Sequence, residues 1–280
     1  MVEIMFELLV IMTFTQLFRI LDGFITRTGY QRPYYAVHAI HNVGIMTLTV
    51  FDVHRSFCHM YTATEYPINW WAIYLCVALH AYHIIDYFPS LRFDDWLHHG
   101  LMIGVAIPLG LTAPAGALFG ANLFFTTGLP GLISYSLLFA ERNCWLAKPY
   151  VQKMNALTNL WIRAPGCVAQ ATLTMATLAS APTVTTLQQV AGFIVALLTA
   201  WNGLYFMEQA LSSATGLSSS NSVAVINAPL ASGINPSSSN SVAVINAPLT
   251  HRERGEQEHG NTGDPSPSHS ARTEPPLALV

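Results

Sequence analysis

The sequence predicts an all-α fold: a polytopic transmembrane helical bundle of about seven spans, followed by a disordered C-terminal tail. Three observations carry this. The 280 residues are 52% hydrophobic and only 10% charged, with a mean hydropathy of +0.39, which is too apolar for an ordinary soluble domain. Apolar stretches recur at about the 20 residues a helix needs to cross a hydrocarbon core of about 30 Å. From about Leu211 the chain switches to Ser, Asn, Gly, Pro and charge.

The expected spans are 4–21, 34–53, 69–88, 97–112, 115–139, 156–180 and 187–209. The first carries Glu3 and Glu7, without a basic leader or a small-residue cleavage site, so it predicts a retained span rather than a signal peptide. The fourth is short and contains Pro108. Thr112-Ala-Pro-Ala-Gly116 then marks a tight turn, making spans four and five a hairpin or one bent element. Gly116, Gly120, Gly128 and Gly131 suit close helix contact in lipid, and leave a homo-oligomer open. The expected organisation is a first span and loop (1–29), a transmembrane domain (30–210) and a cytoplasmic tail (211–280). In the tail, the segment 218–230 recurs identically as 237–249. Two copies are too few for a solenoid, so a local duplication in a disordered tail is the expectation.

Lys and Arg concentrate on the cytoplasmic side of short loops. Arg19, Arg27 and Arg32 flank the first loop, Arg92 lies in the third, Arg142, Lys148 and Lys153 in the fifth, and Arg252, Arg254 and Arg272 in the tail, whereas Arg55 falls in an even-numbered loop and Arg163 within span six. This places the N-terminus outside or in a lumen and the tail in the cytoplasm. The net charge of −3 comes without a basic patch, which argues against nucleic-acid binding. Cys58, Cys76, Cys144 and Cys167 show neither a disulfide framework nor a thiolate metal spacing.

Ionisable groups beside hydrocarbon are expensive and mark candidate sites. His38 and His41 lie one turn apart near the start of span two. His80, His83 and Asp86 recur every three residues near the end of span three, a spacing that puts neighbours on one helical face. Asp94, Asp95, His98 and His99 open span four. At 1.5 Å per residue, all these histidines fall within about 12 Å of one membrane boundary. Asp94 and Asp95 also suit a helix N-terminus, so one can cap span four while the other holds a histidine. His54 and His59 fall on the opposite side, beside Asp52 and Arg55.

The run from Asp86 through Arg92, Asp94 and Asp95 to Trp96-Leu-His-His-Gly-Leu-Met102 resembles the core signature of TLC-domain proteins, the multi-span family that includes ceramide synthases. His38-Ala-Ile-His41 resembles that family's early histidine-bearing span. Asn122 and Thr126-Thr-Gly-Leu-Pro-Gly131 fall where its members carry a polar, Gly/Pro-marked span. The resemblance covers about residues 30–210 and is closer to the less characterised relatives than to ceramide synthases proper. It implies a membrane-helix bundle around a lipid cavity, residence in the endoplasmic reticulum, and membrane lipids as partners. In the ceramide synthase branch it further implies acyl-CoA as co-substrate for N-acyl transfer to a sphingoid amine, with no bound cofactor or metal.

His98 and His99 would then be the catalytic pair, oriented by Asp86, Asp94 or Asp95, with His38, His41, His80, His83 and Asn122 supporting the site or binding lipid. Neutral imidazole can serve such chemistry as base or nucleophile. Leu118 to Ala140 departs from the synthases in containing no histidine or aspartate. The alternatives are a non-enzymatic lipid sensor, trafficking or membrane-composition protein of the same fold and, less favoured, a histidine-rich di-iron hydroxylase or desaturase. His54 and His59 have a permissive spacing for the last, but no His-x2-His-His motif occurs.

Overall fold

The computed structural model describes residues 2–91, 93–182 and 184–216, so the tail and its duplicated segment lie outside the described residues. Among these residues every regular element is helical: α1 (Val2–Arg27), α2 (Pro33–Cys58), α3 (Trp70–Tyr87), α4 (Phe93–Leu101), α5 (Ile107–Thr112), α6 (Ala117–Leu123), α7 (Leu129–Arg142), α8 (Lys148–Thr158), α9 (Ala164–Ser180) and α10 (Thr186–Thr215). Short 3-10 turns at Met60–Glu65 and Phe88–Ser90 fill two connections.

Three π-helical turns, Met102–Ala106, Phe124–Gly128 and Asn159–Arg163, weld α4 to α5, α6 to α7 and α8 to α9. Each lies just ahead of a proline: Pro108, Pro130 and Pro165. Proline lacks an N–H, and its ring collides with the carbonyl four residues earlier. Those carbonyls belong to Gly104, Thr126 and Trp161, one inside each π turn. Widening the ladder there relieves the collision without breaking the rod. The result is seven helical rods among the described residues.

Four of the rods, Glu3–Arg27, Pro33–Cys58, Ala117–Arg142 and Thr186–Thr215, are long and apolar enough to cross a membrane. The other three carry the polar side chains His80, His83 and Asp86; Asp95, His98 and His99; and Asn155, Asn159 and Arg163. The helices also outrun the expected limits. α8 starts at Lys148, where the sequence suggests a loop, because its polar face packs on α7: Ser134 Oγ donates to Asn155 Oδ1 at 2.6 Å. α10 continues past residue 210 to Thr215, ending at Gly216 in a left-handed conformation (φ 70°).

α2 sits at the centre, packed against α1, α3, α6 and α7. Apolar surfaces gain little from leaving lipid for one another, so close backbone approach matters more than in water. The small-residue stripe provides it within the chain. A Cβ on Gly131 would stand 2.5 Å from Asn42 Nδ2, and one on Gly120 would collide with the Asp52 carboxylate. α1 is peripheral, with Ile4, Phe6, Leu9, Met12 and Ile20 exposed on its outer face. Such a band suits lipid contact. Polar contacts tie α1 to α3: Tyr82 and Tyr87 hydroxyls donate to Asp22, and Arg19 Nε meets the Asp86 carboxylate at 2.9 and 3.1 Å. α9 and α10 form a hairpin, and Thr185 and Gln188 make a capping box at the start of α10.

Candidate functional site

All rods except α1 line a cavity of about 280 Å³. This is near the lower end of the range for small-molecule sites, about 300–1,000 Å³. Its apolar wall includes Leu79, Leu101, Met102, Ile107, Phe119, Leu123, Leu178, Val195 and Leu198. Its polar lining includes His38, His41, Asn42, His80, His83, Asp95, His98, His99, Asn122, Tyr135, Arg163 and Asn202. The π turns help shape it, because Met102, Ala106, Thr126, Thr127 and Arg163 all lie within them and line the void. A locally widened turn re-aims side chains that a regular helix would stack elsewhere.

The six histidines expected from the sequence meet here. Ring centroids run from His38 to His83 (5.3 Å), His83 to His99 (5.1 Å), His99 to His80 (5.1 Å) and His80 to His98 (5.5 Å). One nitrogen from each of His80, His98 and His99 lies within 4.8 Å of the other two. His41 joins the same polar wall from α2.

Hydrogen-bond partners fix the tautomers. His38 Nδ1–H donates to the Tyr34 carbonyl at 2.7 Å and His80 Nδ1–H to the Cys76 carbonyl at 2.8 Å, each one turn back. Their Nε2 atoms therefore carry free lone pairs. Asn42 Oδ1 accepts from Thr127 Oγ1 at 3.2 Å and from His41 Nδ1 at 3.0 Å, which leaves His41 Nε2 bare, buried and without a partner. His83 Nδ1 and His99 Nε2 are 3.1 Å apart. The buried His99 Nδ1 has no partner, so the proton belongs on Nε2, donated to His83. The reverse would strand a buried N–H.

The acidic residues part company. Asp95 is buried and lines the cavity. Asp86, expected to orient a histidine, is corrected: it is exposed and its carboxylate is taken by Arg19. The spacing of three places His80, His83 and Asp86 close in azimuth, but by the end of α3 that face has turned towards α1. The Asp94 side chain and Arg92 lie outside the described residues. Asn122 lines the cavity, its Oδ1 without a partner. His54 and His59 stay apart from the cluster, exposed and paired edge to face at 5.9 Å.

Arg163 is the residue the sequence reading passed over. It is 3% exposed, its guanidinium lies 4.8 Å from the Phe206 ring centroid, and its Nε has no partner. A charge inside an apolar span, two residues before a proline, was the available signal. Tyr135, 4.5 Å ring to ring from His38, and Asn202 also line the cavity. No protein-family profile matches the chain, and no curated protein or solved structure matches it.

Proposed function

We propose that the chain is a multi-pass membrane protein that admits a lipid to this cavity and acts on its polar end with the imidazole cluster. The observation that carries the reading is the convergence of six histidines, four with a bare ring nitrogen, on a cavity whose remaining lining is largely apolar but includes Asp95, Asn122 and Arg163. An acyl chain matches the apolar wall and a reacting head matches the polar one. The resemblance to TLC-domain proteins at Trp96 to Met102 narrows the chemistry to transfer of an acyl group from acyl-CoA to a sphingoid-type amine. A bare imidazole nitrogen takes the proton as the amine attacks the thioester carbonyl, and the coenzyme A thiolate leaves and is protonated. Arg163 supplies positive charge for the developing oxyanion. The same reading takes all seven rods as spans, with the N-terminus outside or in the lumen, the tail in the cytoplasm and residence in the endoplasmic reticulum.

The test uses purified protein in lipid nanodiscs supplied with acyl-CoA and a sphingoid base, with amide product followed by mass spectrometry. Formation by the wild type and its loss in His98→Ala and His99→Ala is the expected result. Undiminished product in both variants would contradict the assignment. Lipid binding without turnover is the second reading, favoured by the lack of any histidine or aspartate from Leu118 to Ala140. A wild type that retains lipid yet makes no amide from any amine supplied would select it.

A further inference from the structure

We propose that His80, His98 and His99 hold one divalent transition-metal ion, Zn2+ being the ion that fits the ligand set best. The inference rests on the histidine geometry, and on the lipid reading only for what the metal would act upon. The three candidate ligand nitrogens lie within 4.8 Å of one another. Nitrogens about 2.0–2.1 Å from a tetrahedral Zn2+ stand about 3.4 Å apart, a contraction within reach of side-chain rotation.

Proton placement supports the same conclusion. A ligating imidazole is neutral, turns a lone pair to the metal, and has its other N–H held by a carbonyl or an acceptor outside the ligand set. His80 fits this, with Nδ1–H on the Cys76 carbonyl and Nε2 bare. His99 fits it from the other edge of the ring, with Nε2–H given to His83 and Nδ1 bare. His99 is 6% exposed, so Nδ1 lacks both a protein donor and bulk water. A Lewis acid placed among these nitrogens would take up lone pairs that no donor in the protein meets. His98, stacked on His80 and open to the cavity, brings the third nitrogen.

The donor set is imidazole alone, which suits zinc and its first-row neighbours rather than calcium or magnesium. Cys76 Sγ approaches the Nδ1 edge of His80 at 3.9 Å, away from the bare nitrogen, so no thiolate enters the set. Three protein ligands leave a fourth position open to the cavity, the arrangement of a catalytic rather than a structural zinc. Arg163 shares this cavity, and its charge opposes that of a dication. The fourth ligand is therefore an oxygen of anionic character, either hydroxide or a carboxylate or phosphate oxygen of the bound lipid. With the ion seated, His98 and His99 act as ligands, and the bare Nε2 atoms of His38 and His41 remain to accept a proton.

The experiment loads purified full-length protein with Zn2+, removes free metal, and measures bound metal by mass spectrometry. About one ion per chain is expected. His98→Gln changes a side chain open to the cavity and should lower zinc affinity at least about tenfold, with the melting temperature of the zinc-free protein unchanged. His54→Gln with His59→Gln should retain the full metal load. Cobalt substitution should give the absorption of a tetrahedral ion in the wild type and not in His98→Gln. Substoichiometric metal in folded, zinc-loaded wild type, or equal affinity in wild type and His98→Gln, would overturn the proposal. Native mass spectrometry of the metal-free protein separates the two readings: retained lipid without a metal site removes only the metal, whereas a metal site without bound lipid removes only the lipid.

Discussion

The two ends of α2 bury polar side chains for different ends. Near its start, His38, His41 and Asn42 face the cavity, where His41 Nε2 has no partner. Near its finish, Thr49, Asp52 and Ser56 are equally buried but face protein: Asp52 Oδ1 accepts from Arg55 Nη1 at 3.2 Å, and the carboxylate fills the space left by the missing side chain of Gly120. One end offers an unpaired acceptor beside the cavity. The other holds a paired charge together with two unpartnered buried oxygens, Asp52 Oδ2 and Ser56 Oγ, and none of its residues lines that cavity. Burial of polar groups is thus common to both, and room beside an unmet lone pair is what separates a site from a packing contact.

Substitutions that treat the ends alike should give opposite outcomes. The largest effect is expected at the histidine end. Where imidazole acts directly in acyl transfer, His99→Ala should lower amide formation by about 10²–10⁴-fold, the range for removing a proton-transfer group and equivalent to about 2.7–5.5 kcal/mol of barrier. Its melting temperature should change little, since the lost ring borders a cavity. Equal loss from His54→Ala would erase the contrast between the two ends.

Next in size, Gly120→Ala should destabilise the fold by about 1–3 kcal/mol, because its Cβ overlaps the Asp52 carboxylate. Thermal melting in detergent reads this, with activity per folded molecule unchanged. Arg163→Gln should weaken binding of an anionic lipid by about tenfold, on the order of 1.4 kcal/mol, and leave a neutral lipid unaffected. Equilibrium binding in nanodiscs of the two compositions separates these cases. The smallest effect belongs to Asp86→Asn. Its pair with Arg19 is partly solvated, with side chains 25% and 41% exposed, so a loss of about 0–1 kcal/mol in stability and none in turnover is expected. A large loss of turnover would restore Asp86 to the orienting role that its contact with Arg19 takes away.

Much of this arrangement is legible in the sequence because it follows from period and depth. His38 with His41, and His80 with His83, each lie one turn apart, and helical rise alone sets all of them level with His98 and His99. Three features escape that arithmetic. Asp86 keeps the same spacing but meets Arg19, a contact that depends on where α1 packs. Arg163 reads as a stray charge until the π turn ahead of Pro165 brings it to the cavity. Lys148 and Lys153 look like loop residues, yet they belong to α8, whose helix is secured by the buried Ser134–Asn155 bond.

The central claim is that the space beside the histidines receives a lipid. Photocrosslinking tests it most directly: protein in nanodiscs is irradiated with a fatty-acyl lipid carrying a diazirine near its head, and the adducts are mapped by mass spectrometry. Adducts on cavity residues such as Leu101, Ile107 and Phe206, competed away by unlabelled lipid, are expected. Adducts confined to outward-facing residues such as Leu9 and Trp161, and insensitive to competitor, would contradict the claim.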